Sequence, residues 1–391
     1  MTLCSRLDFD DLRHTLRERG LDGWLVYDFH GNNPVAARVI GAGGMGTRRL
    51  FVWFPAEGRP VAVAHRIELQ PLDGFPGEVR PYASWESLHL ELGRLVAGRR
   101  VAMEVSRNDE VPYLDRVPHG VVELIKQLGG TVESSAELVT LFAARWTPEE
   151  LAGHRRAAEI LAGIARDVLV HVVARPEGRR EWDVQQDVIA RMTRGGLVTT
   201  HPPIVGFGPN AANPHYEPVQ GADRELERDQ VVLLDLWGGP SLGSVFADQT
   251  WMGFAGGSVP EEVAQVWTVV RDARDAAVAS IDAAHRSGRG AVGADGDKAA
   301  RAVIAKAGYG EWFVHRTGHS IDTDLHGSGP HLDSFETQDT RRLLPGVGFS
   351  VEPAVYLPGR FGIRSEINVY MNDGGPEVTP KNPQRDVIYP V

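Results

Sequence analysis

Four carboxylates and one histidine in the second half of the chain have the types and spacing to hold metal ions: Asp235, Asp248, His319, Glu352 and Glu366. Asp235 lies in Val231-Val232-Leu233-Leu234-Asp235-Leu236-Trp237, an apolar run that reads as a strand, and alternation puts it on one face with Leu233 and Trp237. A lone carboxylate there carries a heavy desolvation cost unless it is paired or bound to a cation. Asp248, in Phe246-Ala247-Asp248-Gln249-Thr250-Trp251, repeats the situation. The glycine-rich turn Gly238–Gly243 can fold the two strands together and bring the carboxylates side by side, where like charges favour a cation between them. Glu352 shares a strand face with Tyr356, and Glu366 shares one with Arg364. Ahead of them come His315, His319, His326 and His331. Any one of these residues alone reads equally as a surface group or a locally hydrogen-bonded strand end. Grouped in one region and mostly on apolar strands, they form an oxygen-rich set with an imidazole, which suits paired Mn²⁺, Co²⁺ or Zn²⁺ rather than a structural zinc.

The elements that must position these groups fall into two regions. Residues 1–145 alternate: helices at 8–19, 84–96 and 117–128, and strands at 24–27, 50–54, 61–65 and 101–105. Trp146-Thr147-Pro148-Glu149-Glu150 marks a boundary, with a capping threonine, proline at the first helical position and acids in the first turn. Residues 146–391 then read as a larger α+β domain. Its helices are expected at 148–173, 182–193, 260–285 and 295–307, and its strands at 231–237, 245–253, 349–356 and 362–371.

Bulk properties narrow the function. A formal net charge of −11 leaves no basic footprint for nucleic acid and opposes an anionic membrane surface. Cys4 is the sole cysteine, so there is no disulfide framework and no thiolate metal site. The amino-terminal segment is charged throughout, and no apolar run reaches membrane-spanning length, so a cytoplasmic location is expected. Gly41-Ala42-Gly43-Gly44-Met45-Gly46 satisfies the G-x-G-x-x-G pattern of dinucleotide sites, but it leads into the strand-like Leu50–Phe54 instead of opening a helix, so a nucleotide site is rejected.

The order Asp235, Asp248, His319, Glu352, Glu366 resembles the metal ligands of the pita-bread metallopeptidases, the family of methionine aminopeptidase, aminopeptidase P, prolidase and creatinase. Asn210-Ala211-Ala212-Asn213-Pro214-His215-Tyr216 resembles the segment carrying a substrate-side histidine. Thr317-Gly318-His319-Ser320-Ile321 resembles the G-H-G-x-G stretch, Ser350-Val351-Glu352-Pro353 the E-P-G motif, and Gly362-Ile363-Arg364-Ser365-Glu366 the G-[IV]-R-x-E motif. Departures are Ser320 and Ala354 where the family usually has glycine, a longer spacing between the aspartates, and Gly327-Ser328-Gly329 where an acid usually follows the histidine matched by His326.

The resemblance implies a pita-bread catalytic domain at 146–391 preceded by a smaller creatinase-type α/β domain at 1–145. It implies two divalent ions per chain, Mn²⁺ first with Co²⁺ or Zn²⁺ as alternatives, and a bridging hydroxide as nucleophile. Asp248 and Glu366 would bridge both ions, Asp235 would hold one, and His319 with Glu352 the other. Glu352 would also move the proton towards the leaving nitrogen. His215 and His326 would polarise the scissile carbonyl, while His315, Arg364, Tyr356 and His331 would lie on the substrate side. Tyr356 and Arg364 would also support the metal ligands from behind, and Arg364 could pair with a substrate carboxylate. The implied activity is hydrolysis of Xaa-Pro bonds in short peptides by a homodimeric Xaa-Pro dipeptidase. Alternatives are an aminopeptidase P acting on longer peptides, a metal-free creatinase-like C–N hydrolase, and a binding protein that has kept the fold without catalysis.

Overall fold

Asp8 starts the first helix by accepting the N–H groups of Asp10 and Asp11, and α1 runs Phe9–Glu18. The computed structural model describes residues 3–41 and 46–390, so Ala42–Met45, the middle of the rejected glycine motif, lie outside the described residues. The chain divides into two compact units, Met1–Ala144 and Arg145–Val391.

After α1 the first unit runs β1 (Gly23–Asp28), α2 (Pro34–Ile40), β2 (Leu50–Pro55), β3 (Val61–His65), β4 (Glu78–Tyr82), α3 (Trp85–Val96), β5 (Arg100–Met103), α4 (His119–Gln127), β6 (Thr131–Ser134) and a helical turn, α5 (Ala136–Leu138). The strands form a six-stranded mixed sheet in the order β4-β3-β2-β1-β5-β6. Alternation feeds two cores. Trp24, Val26, Val52 and Phe54 pack in one, whereas Leu25, Tyr27, Phe51 and Trp53 pack in the other. The expected elements are present. The additional α2, β4 and β6 are short, and Glu78–Tyr82 and Thr131–Ser134 are polar strands at the sheet edges, where alternation is weakest.

The second unit opens with α6 (Pro148–Ala174), whose Thr147 and Glu150 form a reciprocal capping box. Then come α7 (Glu181–Arg194), β7 (Ile204–Phe207), β8 (Val231–Gly238), β9 (Ala247–Phe254), α8 (Glu261–Arg286), α9 (Gly293–Lys306) and β10 (Ser320–Ile321). The last strands are β11 (Gly348–Val351), β12 (Ala354–Leu357), β13 (Phe361–Arg364), β14 (Ile367–Asn372) and β15 (Gly375–Thr379). They build one antiparallel sheet β7-β8-β9, a second β10-β11-β14-β15, and the hairpin β12-β13.

Two expected strands are each split. Residues 349–356 break between β11 and β12 at Glu352-Pro353, where proline has no N–H for a ladder. Residues 362–371 break between β13 and β14 at Ser365-Glu366, where the Glu366 N–H turns away to the carbonyl of Thr250. Both breaks fall on candidate metal ligands. No helix among the described residues is long and apolar enough to cross a membrane.

Candidate active site

The β8–β9 register sets the two aspartates. Asp235 pairs with Thr250 and Asp248 with Trp237, so all four side chains leave one face and the carboxylates are diagonal neighbours. The intervening Gln249 points the other way and donates to the Ala158 carbonyl of α6 at 2.8 Å. Asn368, on β14, accepts the Asp248 N–H at 2.8 Å and ties the two sheets together at this point.

His319 is placed by a close backbone approach. A Cβ on Gly318 would stand 1.9 Å from the Ser350 carbonyl oxygen, so only glycine lets β11 come this near. Ser350 then accepts the His319 N–H at 2.9 Å and donates to Glu352 at 3.0 Å. The His319 Nδ1 faces the Ser320 carbonyl at 3.2 Å, which fixes the N–H there and leaves Nε2 as a free lone pair. Nε2 lies 3.3 Å from Glu352 and 3.6 Å from Asp248. Ligand atoms of Asp248, His319 and Glu366 all fall within 4.8 Å of one another.

Electrostatics agree with that geometry. Burial pushes Asp235 up to about 6, with Glu352 adding to the rise and Arg364 opposing it. Burial, and then mutual repulsion with the neighbouring carboxylates, drive Asp248 and Glu366 well above the usual carboxylate range. Burial lowers His319 to about 3, so it stays neutral and able to ligate. The fit to a cation is tested by leftover acceptors: Asp235 Oδ1, Asp248 Oδ1 and Glu366 Oε1 are buried and have no hydrogen-bond partner among the described residues. Three such oxygens around one free imidazole nitrogen match the donor set of hard or borderline divalent ions.

The remaining site residues divide into those that face the cavity and those behind it. A cavity of about 470 Å³ is lined by the five candidate ligands, by His215, His326 and Arg364, and by an apolar wall that includes Pro202, Pro203, Ile204, Pro214 and Leu325. His326 lies tilted against His319 with ring centroids 4.1 Å apart, and the His319 ring, followed by burial, holds its pKa well below the ordinary histidine range. Arg364 is 3% exposed and is committed to protein partners. It pairs with Asp235 and donates to Thr250 Oγ1 at 2.7 Å, to the Tyr356 hydroxyl at 3.0 Å and to the Pro214 carbonyl at 3.3 Å. Tyr356 in turn meets His315 Nε2 at 3.0 Å, and burial raises its own pKa to about 12. Tyr356 and His315 therefore brace Arg364 and Asp235 from behind and do not line the cavity. His331 is fully buried and accepts the Ser320 N–H at 3.0 Å, also away from the cavity lining.

Three contributors escaped sequence reasoning. Thr250 joins Glu366, at 2.8 Å, to Arg364, and its position two residues after Asp248 on one strand was the available signal. Asn368 stands two residues after Glu366, on β14, and accepts the Asp248 N–H. Glu181 lies far off in sequence, yet its buried carboxylate accepts from Phe207 N, Asn210 Nδ2, the Tyr216 hydroxyl and Arg224 N, knitting the segment that presents His215. No local pattern announces it.

Residues 152–373 match the metallopeptidase family M24. The chain belongs to that family. The second unit accordingly carries the pita-bread fold. A probable dipeptidase PepE of Mycobacterium bovis is 28% identical over 342 residues, covering 86% of this chain and 84% of the relative. The Xaa-Pro dipeptidase of Lactobacillus delbrueckii subsp. lactis is 33% identical over 185 residues, 47% of this chain and 46% of its own. Among solved structures, a recombinant prolidase from Thermococcus sibiricus superposes with a TM-score of 0.71 at 25% identity, covering 100% of this chain and 99% of that one.

Proposed function

We propose that this M24 metallopeptidase hydrolyses Xaa-Pro bonds in short peptides and acts as an Xaa-Pro dipeptidase. The observation that carries the reading is the set of unpartnered buried oxygens of Asp235, Asp248 and Glu366 beside His319 Nε2. Asp235, Asp248, His319, Glu352 and Glu366 would hold two divalent ions, with Mn²⁺ the expected metal. Such ions supply a Lewis acid and, by lowering the pKa of water, a nucleophile near neutral pH.

The side chains have separate tasks. Glu352, anchored by the Ser350 hydroxyl at 3.0 Å, carries the proton from the nucleophile to the leaving nitrogen. His215 and His326 donate to the carbonyl oxygen as negative charge develops on it. The proline-rich wall receives the substrate ring by apolar contact and asks nothing of its nitrogen, which has no N–H in an Xaa-Pro bond. Because Arg364 is spent on Asp235, its part is to orient that ligand. A metal-free hydrolase is disfavoured by the same orphaned oxygens, which no donor among the described residues satisfies. The lone, buried Cys4 fits a reducing cytoplasm, and a homodimer is the expected assembly.

The deciding experiment compares hydrolysis of Ala-Pro and Ala-Pro-Ala by metal-stripped protein with Mn²⁺ added back. Cleavage of the dipeptide alone, and only with metal, supports the dipeptidase. Faster cleavage of the tripeptide assigns an aminopeptidase, and no cleavage of either removes the Xaa-Pro reading.

A further inference from the structure

His326 stands on the cavity wall against the His319 ring, and its own ring makes no hydrogen bond among the described residues, so the backbone of its loop is what anchors it. The next residue is Gly327, where the family usually carries an acid. The structure shows what fills that space. A Cβ on Gly327 would lie 2.7 Å from the Asp322 carboxylate and 2.8 Å from the Asp322 backbone nitrogen, closer than any side chain tolerates.

Asp322 is 3% exposed and closes the loop on itself. One carboxylate oxygen accepts the Asp324 N–H at 2.8 Å and the other the Ser328 N–H at 2.9 Å, so both flanks of His326 hang on one side chain. The Gly327 N–H donates to the Ser320 carbonyl at 2.7 Å, one residue from His319. From behind, Arg341 donates to the carbonyls of Ser328 and Gly329, both at 2.6 Å, while paired with the buried Asp339 at 2.7 Å.

We propose that Asp322 is the positioning residue for His326, supplying from within the loop the carboxylate that the family usually carries on the residue after the histidine. The Gly327-Ser328-Gly329 stretch is then a compensated exchange: the acid has moved five positions back along the chain, and glycine at 327 makes room for it. This rests on the reading of His326 as a group that meets the substrate. Asp322 is not among the residues that line the cavity, so its effect passes through the loop. Displacing a catalytic group by an ångström costs about 100-fold in rate.

A double-mutant cycle tests the exchange on the metal-loaded protein. Asp322→Ala should lower kcat by about 10- to 100-fold with KM and bound metal little changed, and Asp322→Asn, which keeps one acceptor, should lose less. Gly327→Asp alone should also lose activity, by collision. Combining Asp322→Ala with Gly327→Asp should cost clearly less than the product of the two single losses, because the collision with the Asp322 carboxylate is gone while that with the Asp322 nitrogen remains. The melting temperature should follow the same pattern, which keeps the cycle informative for variants too weak to assay. Losses that simply multiply, or full kcat in Asp322→Ala, overturn the proposal. The cycle is read on whichever peptide the wild-type protein cuts. If it cuts none, the peptidase reading and the role of His326 fall, while non-additive melting temperatures still establish the spatial exchange.

Discussion

Stripping the metal should cost this protein more stability the higher the pH. In the metal-free chain Asp235 is raised from 3.8 to about 6 by burial and by Glu352, and Asp248 and Glu366 are raised further by burial and by one another. A carboxyl group whose folded pKa exceeds its unfolded value binds more protons folded than unfolded between the two. Its stabilising contribution is therefore complete below the unfolded value and disappears as pH rises through the folded one. For Asp235 the window runs from 3.8 to about 6. At about 1.4 kcal/mol per unit this loses roughly 3 kcal/mol by neutral pH. Asp248 and Glu366 act with the same sign, so this is a lower bound. A divalent ion binds the ionised form and removes the penalty. Between about pH 5 and about pH 7.5 only the last unit of the Asp235 window is crossed, about 1.4 kcal/mol. For a domain of this size each kcal/mol shifts the melting temperature by about 2–4 °C, so Asp235 alone should widen the gap between metal-loaded and chelated protein by roughly 3–6 °C over that range. Calorimetric scans with and without chelator at these two pH values read it directly. A gap that stays constant or narrows with pH would refute the assignment of these carboxylates as a cation site.

Asp248→Ala should abolish both metal occupancy, measured by elemental analysis, and peptide hydrolysis; activity retained in metal-stripped buffer would sink the dinuclear assignment. His154 has the opposite pH signature to the carboxylates. It is fully buried between the Phe246 carbonyl at 3.0 Å and Thr379 Oγ1 at 2.8 Å, and burial lowers its pKa from 6.5 to about 4. Its contribution is present above the unfolded value and is lost as pH falls through the folded one, about 3 kcal/mol in all. His154→Gln should lack that acid-side loss in urea titrations, and wild-type and variant curves that run parallel with pH would contradict this. A Cβ at Gly348 would meet the Trp146 ring at 1.8 Å, and the Trp146 Nε1–H is anchored on the Ile321 carbonyl at 2.7 Å. Gly348→Ala should thus cost about 1–3 kcal/mol of stability, and an unchanged melting temperature would show that the ring yields freely.

The chain by itself determined the identity and order of the candidate ligands. A carboxylate in an apolar run is conspicuous wherever it occurs, as at Asp235 and Glu352, while Asp248 and Glu366 gained their meaning from the order and motifs around them. Most elements were equally legible, because alternation in β1–β3, β8 and β9 and the capping signals at Thr147 are local properties of the backbone. The breaks at Glu352-Pro353 and Ser365-Glu366 were not, although the first was marked by its proline, since leaving one sheet for another depends on partners more than a hundred residues away, such as Thr250 for Glu366. The same limit governs side-chain roles. The resemblance implied both a supporting place behind the ligands and a substrate carboxylate for Arg364, and the fold commits its donors to Asp235, Thr250, Tyr356 and Pro214. Glu181 and Asp322 became visible only once distant backbone N–H groups converged on them. A hydrogen bond is satisfied by proximity in space, and for charged groups in a buried site only the tertiary structure decides which neighbours are close enough to claim them.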